Sequence, residues 1–170
     1  MHMAAGEYGP AREQIREALK ANPNDADLLA GLAKLLAVLG EADEGVALGR
    51  RAQRLNPHAP VWYHWNLGLA NYYSGRYKDA VELFGRSTRL NREARLHYIA
   101  SLIRVGRLGD AKTHVEAILN KNPKFSVSEY IESRGSARAE TRRKLTEDLL
   151  KAGLPKQMSW ECLVRTDTCR

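Results

Sequence analysis

Four glycine-led phrases divide most of this 170-residue chain at nearly equal intervals. Gly6-Glu7-Tyr8, Gly40-Glu41-Ala42, Gly75-Arg76-Tyr77 and Gly106-Arg107-Leu108 each open a helical pattern. The patterns close on Asn22-Pro23, Asn56-Pro57, Asn91-Arg92 and Asn122-Pro123. The glycines stand 34, 35 and 31 residues apart, so the last interval implies a shortened loop. A period of this length marks a solenoid, whose units each bury their apolar face only by stacking on a neighbour.

Within a phrase the pattern is that of an amphipathic helix. In the third, Ala80, Leu83, Phe84 and Ser87 follow the i, i+3, i+4, i+7 rule and define one buried stripe. The small residue five positions after each glycine (Ala11, Gly45, Ala80, Ala111) marks the closest approach of two helices. The glycines supply positive φ at the turn between helices, and Asn-Pro ends the second helix because a residue before proline avoids the α region. A first helix precedes each of the last three glycines, over 27–39, 61–74 and 92–105.

The run Trp65-Asn66-Leu67-Gly68-Leu69-Ala70-Asn71-Tyr72, followed by Ala80 and Phe84, resembles the signature of tetratricopeptide (TPR) repeats. Other units match more loosely: Ala33 and Ile99 stand where Gly68 stands, and Gly45 where the family usually has Ala. The resemblance covers residues 5–124 and implies an all-α fold, a right-handed α-solenoid of helix-turn-helix repeats. It gives a half repeat at 5–23 and full repeats at 26–58, 61–92 and 92–124, together spanning 1–124. The half repeat lacks its first helix, which predicts an exposed apolar face there and self-association or a preceding domain. After Pro123 the period fails. A short helix over 125–133, a break at Gly135-Ser136 and an amphipathic helix over 140–152 predict a helical cap at 125–155. Residues 156–170 are predicted to be a flexible tail.

A narrower likeness rests on residues 56–68 (Asn56-Pro57-His58-Ala59-Pro60-Val61-Trp62-Tyr63-His64-Trp65-Asn66-Leu67-Gly68), on Ala94-Arg95-Leu96-His97, and on Lys151-Ala152-Gly153-Leu154-Pro155. These runs are similar to the C-terminal TPR region of bacterial multidomain adenylate cyclases and related TPR regulators. The likeness implies a regulatory or assembly part of a larger bacterial protein. A cyclase's own metal-binding and nucleotide-contact residues belong to another domain, and none carries over.

In such a solenoid the first helix of each pair lines the concave surface, where a peptide or partner protein would bind. The helical period assigns to it Trp62, Trp65, Asn66, Leu69, Tyr72 and Tyr73 from the middle repeat, and Glu93, Leu96, His97 and Arg104 from the next. Asp27, Ala30, Lys34 and Ala37 come from the preceding one. The aromatics are natural interface anchors, and Asn66 offers both donors and acceptors. Their alternative role is packing between repeats. A carboxylate clamp of the kind TPR domains use for acidic chaperone tails is matched at two of five positions, Lys34 and Asn66. Glu93 would repel an incoming carboxylate.

The net charge of +7 is unevenly spread: residues 1–49 carry 4 Lys/Arg against 8 Asp/Glu, and residues 50–125 carry 14 against 5. The basic middle suits an acidic partner or is a solvated face with helix-end cations. Nucleic-acid binding by Arg50, Arg51, Arg54, Arg86, Arg89, Arg92 and Arg95 is the alternative reading, with Arg54 and Arg89 placed near helix C-termini. No enzyme is expected. His2, His58, His64, His97 and His114 lack metal-ligand spacing, and no phosphate loop or nucleophile motif occurs, so neither cofactor nor metal is predicted. Cys162 and Cys169 read as a reduced, idle pair before a disulfide or metal site. No apolar run spans a bilayer and no secretory signal opens the chain, which predicts a cytoplasmic protein without membrane contact.

Overall fold

The computed structural model describes residues 8–134 and 137–157, and helices are the regular elements among them. In chain order these are α1 (Tyr8–Ala21), α2 (Ala26–Val38), α3 (Ala42–Leu55), α4 (Val61–Tyr73), α5 (Tyr77–Gly85), α6 (Arg92–Arg104), α7 (Leu108–Lys121), α8 (Val127–Glu132) and α9 (Ala139–Lys151). α2/α3, α4/α5 and α6/α7 form helical hairpins, and α2, α4 and α6 stack side by side as the first helices. Gly6, Gly135, Ser136, Cys162 and Cys169 lie outside the described residues, as does most of the predicted tail.

The inter-helix turns share one hydrogen-bond pattern. Gly40, Gly75 and Gly106 have φ of 90°, 81° and 79°. At each, the glycine N–H donates to the carbonyl three residues back (Ala37, Tyr72, Ile103). The next residue's N–H reaches the carbonyl five back (Leu36, Asn71, Leu102). This is the Schellman arrangement, which satisfies carbonyls that the helix end would otherwise orphan and which needs a left-handed residue that glycine adopts without a Cβ penalty. Gly153 (φ 94°) repeats it at the end of α9.

Small residues set the hairpin spacing. A Cβ added to Gly45 would come within 2.5 Å of the Ala33 carbonyl oxygen, and one on Gly68 within 2.9 Å of the Phe84 ring. Ala80 and Ala111 are fully buried at the equivalent place. The main core runs from Ala37 to Leu154 through every hairpin, with Tyr72, Phe84, Leu96, Ile99 and Leu102 at its centre.

Asn22, Asn56 and Asn122 follow the ends of α1, α3 and α7, whereas Asn91 does not end a helix. α5 stops at Gly85, and the Asn91 side chain accepts the Ala94 N–H at 2.7 Å as the N-cap of α6. With no proline at 92 and three fewer residues available, the same asparagine serves the start of the next helix. Helix α1 packs on α2 through Ile15, which is buried with Leu32, Leu36 and Leu39; Leu19 is half-buried. Among the described residues the exposed large hydrophobics are Leu55, Val61 and Leu108.

Candidate functional site

The concave face is built by α2, α4 and α6, and α9 lies across the C-terminal ends of all three. The Arg138 N–H donates to the Val38 carbonyl (3.2 Å) at the end of α2. Lys144 Nζ donates to the Tyr72 and Tyr73 carbonyls (3.1 and 3.3 Å), supplying a cation where the α4 dipole is negative. Its ammonium also stands over the Tyr72 and Tyr77 rings, 5.1 Å from each centroid. Asp148 accepts the Tyr72 hydroxyl at 2.5 Å and pairs with Arg104 Nε at 2.7 Å, beyond the end of α4 and on the last turn of α6. At 1.5 Å per residue the first two anchors fall roughly 9 Å apart along α9, close to the spacing of packed helices, and Asp148 follows roughly 6 Å further on. Leu145 and Leu149, one and zero turns from Asp148, are buried in the main core.

Beneath α9 sits a closed polar network. Burial, followed by the Asp148 carboxylate, raises the Tyr72 phenol above its ordinary pKa, so it acts as a donor. His97 is fully buried; its Nδ1 lies 2.8 Å from the Glu93 carbonyl, which only accepts, so Nδ1 carries the proton. Nε2 is therefore the acceptor for the Tyr73 hydroxyl at 3.0 Å. Burial pushes His97 down to about 4, which keeps the ring neutral near pH 7.

Glu93 lies at the opposite end of α6. Its carboxylate pairs with Lys34 of α2 at 2.5 Å and with Arg134. Burial alone would raise its pKa, but the Lys34 hydrogen bond and the Arg134 charge more than reverse this and hold it below the usual carboxylate range. The cations that could have received a ligand's carboxylate are thus satisfied by one from the chain itself.

Of the residues assigned to the groove, Leu69, Tyr72 and His97 are buried, Tyr73 is bonded to His97, and Arg104 is bonded to Asp148. Trp62, Trp65 and Asn66 remain half-buried on α4. Trp62 packs on Tyr63 with centroids 4.4 Å apart, and Trp65 Nε1 donates to Ser87 Oγ at 3.1 Å. Asn66 Nδ2 donates to the Ala30 carbonyl at 3.0 Å. Lys144, Asp148 and Arg134 were not foreseen. One signal for Asp148 was available: it stands at i+3 from Leu145 and beside Leu149, a lone acid within an apolar stripe that needs a partner.

The family described as Tetratricopeptide repeat matches residues 2–60. The match covers about a third of the chain, and the repeated hairpins with their common glycine turns carry the same tetratricopeptide pattern on through α7. A small glutamine-rich TPR-containing protein 2 of Mycosarcoma maydis is 29% identical over 89 residues, 52% of this chain and 25% of that protein. This chain therefore spans about a quarter of the length of that relative. A solved structure, YrrB, titled a TPR protein with an unusual peptide-binding site, aligns over 81% of this chain and 91% of its own. It does so at 17% identity and a TM-score of 0.39. None of these matches bears on the narrower likeness to adenylate-cyclase regions.

TPR repeats are protein-interaction scaffolds and are generally non-enzymatic. Among the described residues, no cluster of His, Cys, Asp and Glu could hold a metal ion, and no helix is long and apolar enough to cross a membrane. The arginines of the basic section do not form one continuous row of available cations. Arg50 is paired with Asp79, Arg86 with Glu82, and Arg51 with the Asn24 side chain. Arg54 lies in the last turn of α3 as expected, while Arg89 lies in the loop beyond α5.

Proposed function

We propose that this TPR chain is an interaction module that holds a peptide or partner protein on the part of its concave face that α9 leaves uncovered. The supporting observation is the division of the groove: α9 fills the end at Tyr72 and Arg104, and Trp62, Trp65 and Asn66 stay half-buried on α4. Half-buried tryptophans are suited to anchoring because their rings offer large area at small entropic cost. A recess of about 350 Å³ beside Gly31, Lys34, Leu35 and Arg134 adjoins the same face. The regulatory role within a larger bacterial, cytoplasmic protein belongs to this proposal, as does self-association through α1.

A peptide array followed by binding measurements on the wild type, Trp62→Ala and Asn66→Ala tests it. The expected result is a loss of about tenfold or more with Trp62→Ala, in keeping with a truncated anchor of 1–2 kcal/mol. Ligands whose binding is untouched by both substitutions would place the working surface elsewhere. Nucleic-acid binding is less well supported, because Arg50 and Arg86 already carry carboxylate partners.

A further inference from the structure

At the end of α6 remote from Asp148, a recess of about 370 Å³ opens between the start of α6 and the last turns of α7. Its floor is apolar: Phe125 and Ile118 are buried and Leu90 is half-buried. Its rim carries Arg92, Arg95 and Lys121, and no acidic residue lines it. Arg92 and Arg95 are three apart and so share one face of α6. Two of the three cations have partial structural duties. Arg92 stacks over the Tyr130 ring at 5.9 Å, and Lys121 lies in the last turn of α7, where a cation suits the dipole. Among the described residues, no carboxylate pairs with any of the three, in contrast to Arg50, Arg76, Arg86, Arg104, Arg107 and Arg134. The charge of Arg95 is felt nearby: burial and then Arg95 lower the pKa of His114.

We infer that this recess is a second docking site, separate from the concave groove, for an acidic peptide segment that places one aliphatic or aromatic side chain on the Phe125–Ile118 floor between flanking carboxylates. The volume is at the low end for ligand pockets, which run from about 300 to 1,000 Å³, and so suits one or two side chains. Charge complementarity supplies the attraction, and the apolar floor supplies the discrimination. A nucleic acid fits less well, because three cations around a single recess do not form a groove that tracks a phosphate backbone.

The test uses a fluorescein-labelled peptide in which a single Phe is flanked on each side by two acidic residues, followed by fluorescence anisotropy at low and at physiological salt. Binding should weaken as salt rises. It should fall about tenfold in the double variant Arg95→Glu/Lys121→Glu and less in Arg95→Gln. It should also fall severalfold when the peptide's Phe is replaced by Ser. Trp62→Ala and Asn66→Ala should leave it unchanged, which separates this site from the concave groove. Circular dichroism and urea unfolding establish that the variants are folded. The inference is overturned by undiminished binding in folded Arg95→Gln and double variants alike. Equal affinity for the Ser peptide, or tighter binding of an RNA of matched charge with the same variant sensitivity, also overturns it.

Discussion

Two sides of α6, the one facing the groove and the one facing the recess, handle charge in opposite ways. At its C-terminal end Arg104 meets Asp148, a carboxylate that is 2% exposed and also receives the Tyr72 hydroxyl. At its N-terminal edge Arg92 and Arg95, with Lys121 of α7, surround an apolar recess that contains no acid. The first arrangement is internal and saturated, and a partner would have to displace α9 to use it. The second has long-range attraction left to offer. A concave TPR face is thus divided by its own chain, and the unspent charge lies outside the part that is filled.

The comparison breaks most visibly if α9 is removed from the core. Leu149 is fully buried, so Leu149→Ala should cost about 2–5 kcal/mol in urea unfolding, the usual range for leucine truncation in a core. A cost under about 1 kcal/mol would show α9 to be a loose cover. Next in size, Arg104→Ala leaves Asp148 buried without its cation and should cost about 3 kcal/mol. Because Arg104 is partly exposed, Asp148→Asn, which retains an acceptor for Tyr72, should cost less.

How much of this was legible in the sequence follows from where the repeat applies. The glycines at 40, 75 and 106 and the small residues at 45, 80 and 111 express constraints that every hairpin shares, and they located the helices to within a few residues. Helix α9 lies outside the period. Its helicity could be read from Leu145, Leu149 and Leu150, but its destination could not, because the contacts that place it join residues 72 to 148 and 38 to 138. The groove residues on α4 and α6 were assigned from the period alone. That assignment could not register that a later helix buries Tyr72, or that Glu93 is pinned by Lys34 and Arg134. α5 ends at Gly85, earlier than the period gives, and Asn91 caps the next helix instead of closing this one.

Acidification sharpens the same contrast. His97 is held neutral, with its pKa lowered to about 4 by burial, so the unfolded chain binds more protons than the folded one between there and about 6.5. Stability should therefore fall as pH drops through that window, by roughly 2 kcal/mol between pH 7 and pH 5. Glu93, whose pKa is also lowered, adds a loss in the same direction at lower pH. Urea midpoints of the wild type and His97→Gln across this range measure the histidine's share, and identical slopes would contradict it. The smallest effect belongs to the recess: Arg95→Gln should change stability by no more than about 0.5 kcal/mol, because no ion pair is lost.

The central claim is that α9 is a permanent occupant of the groove and folds as one unit with the repeats. Native-state hydrogen exchange in increasing urea tests it most directly. The amides of Leu145, Leu149 and Asp148 are expected to exchange through the same global opening as those of Ile99 and Leu102. If the α9 amides instead exchange through a much cheaper local opening while α6 stays protected, α9 is a displaceable strap and the groove beneath it is available to partners.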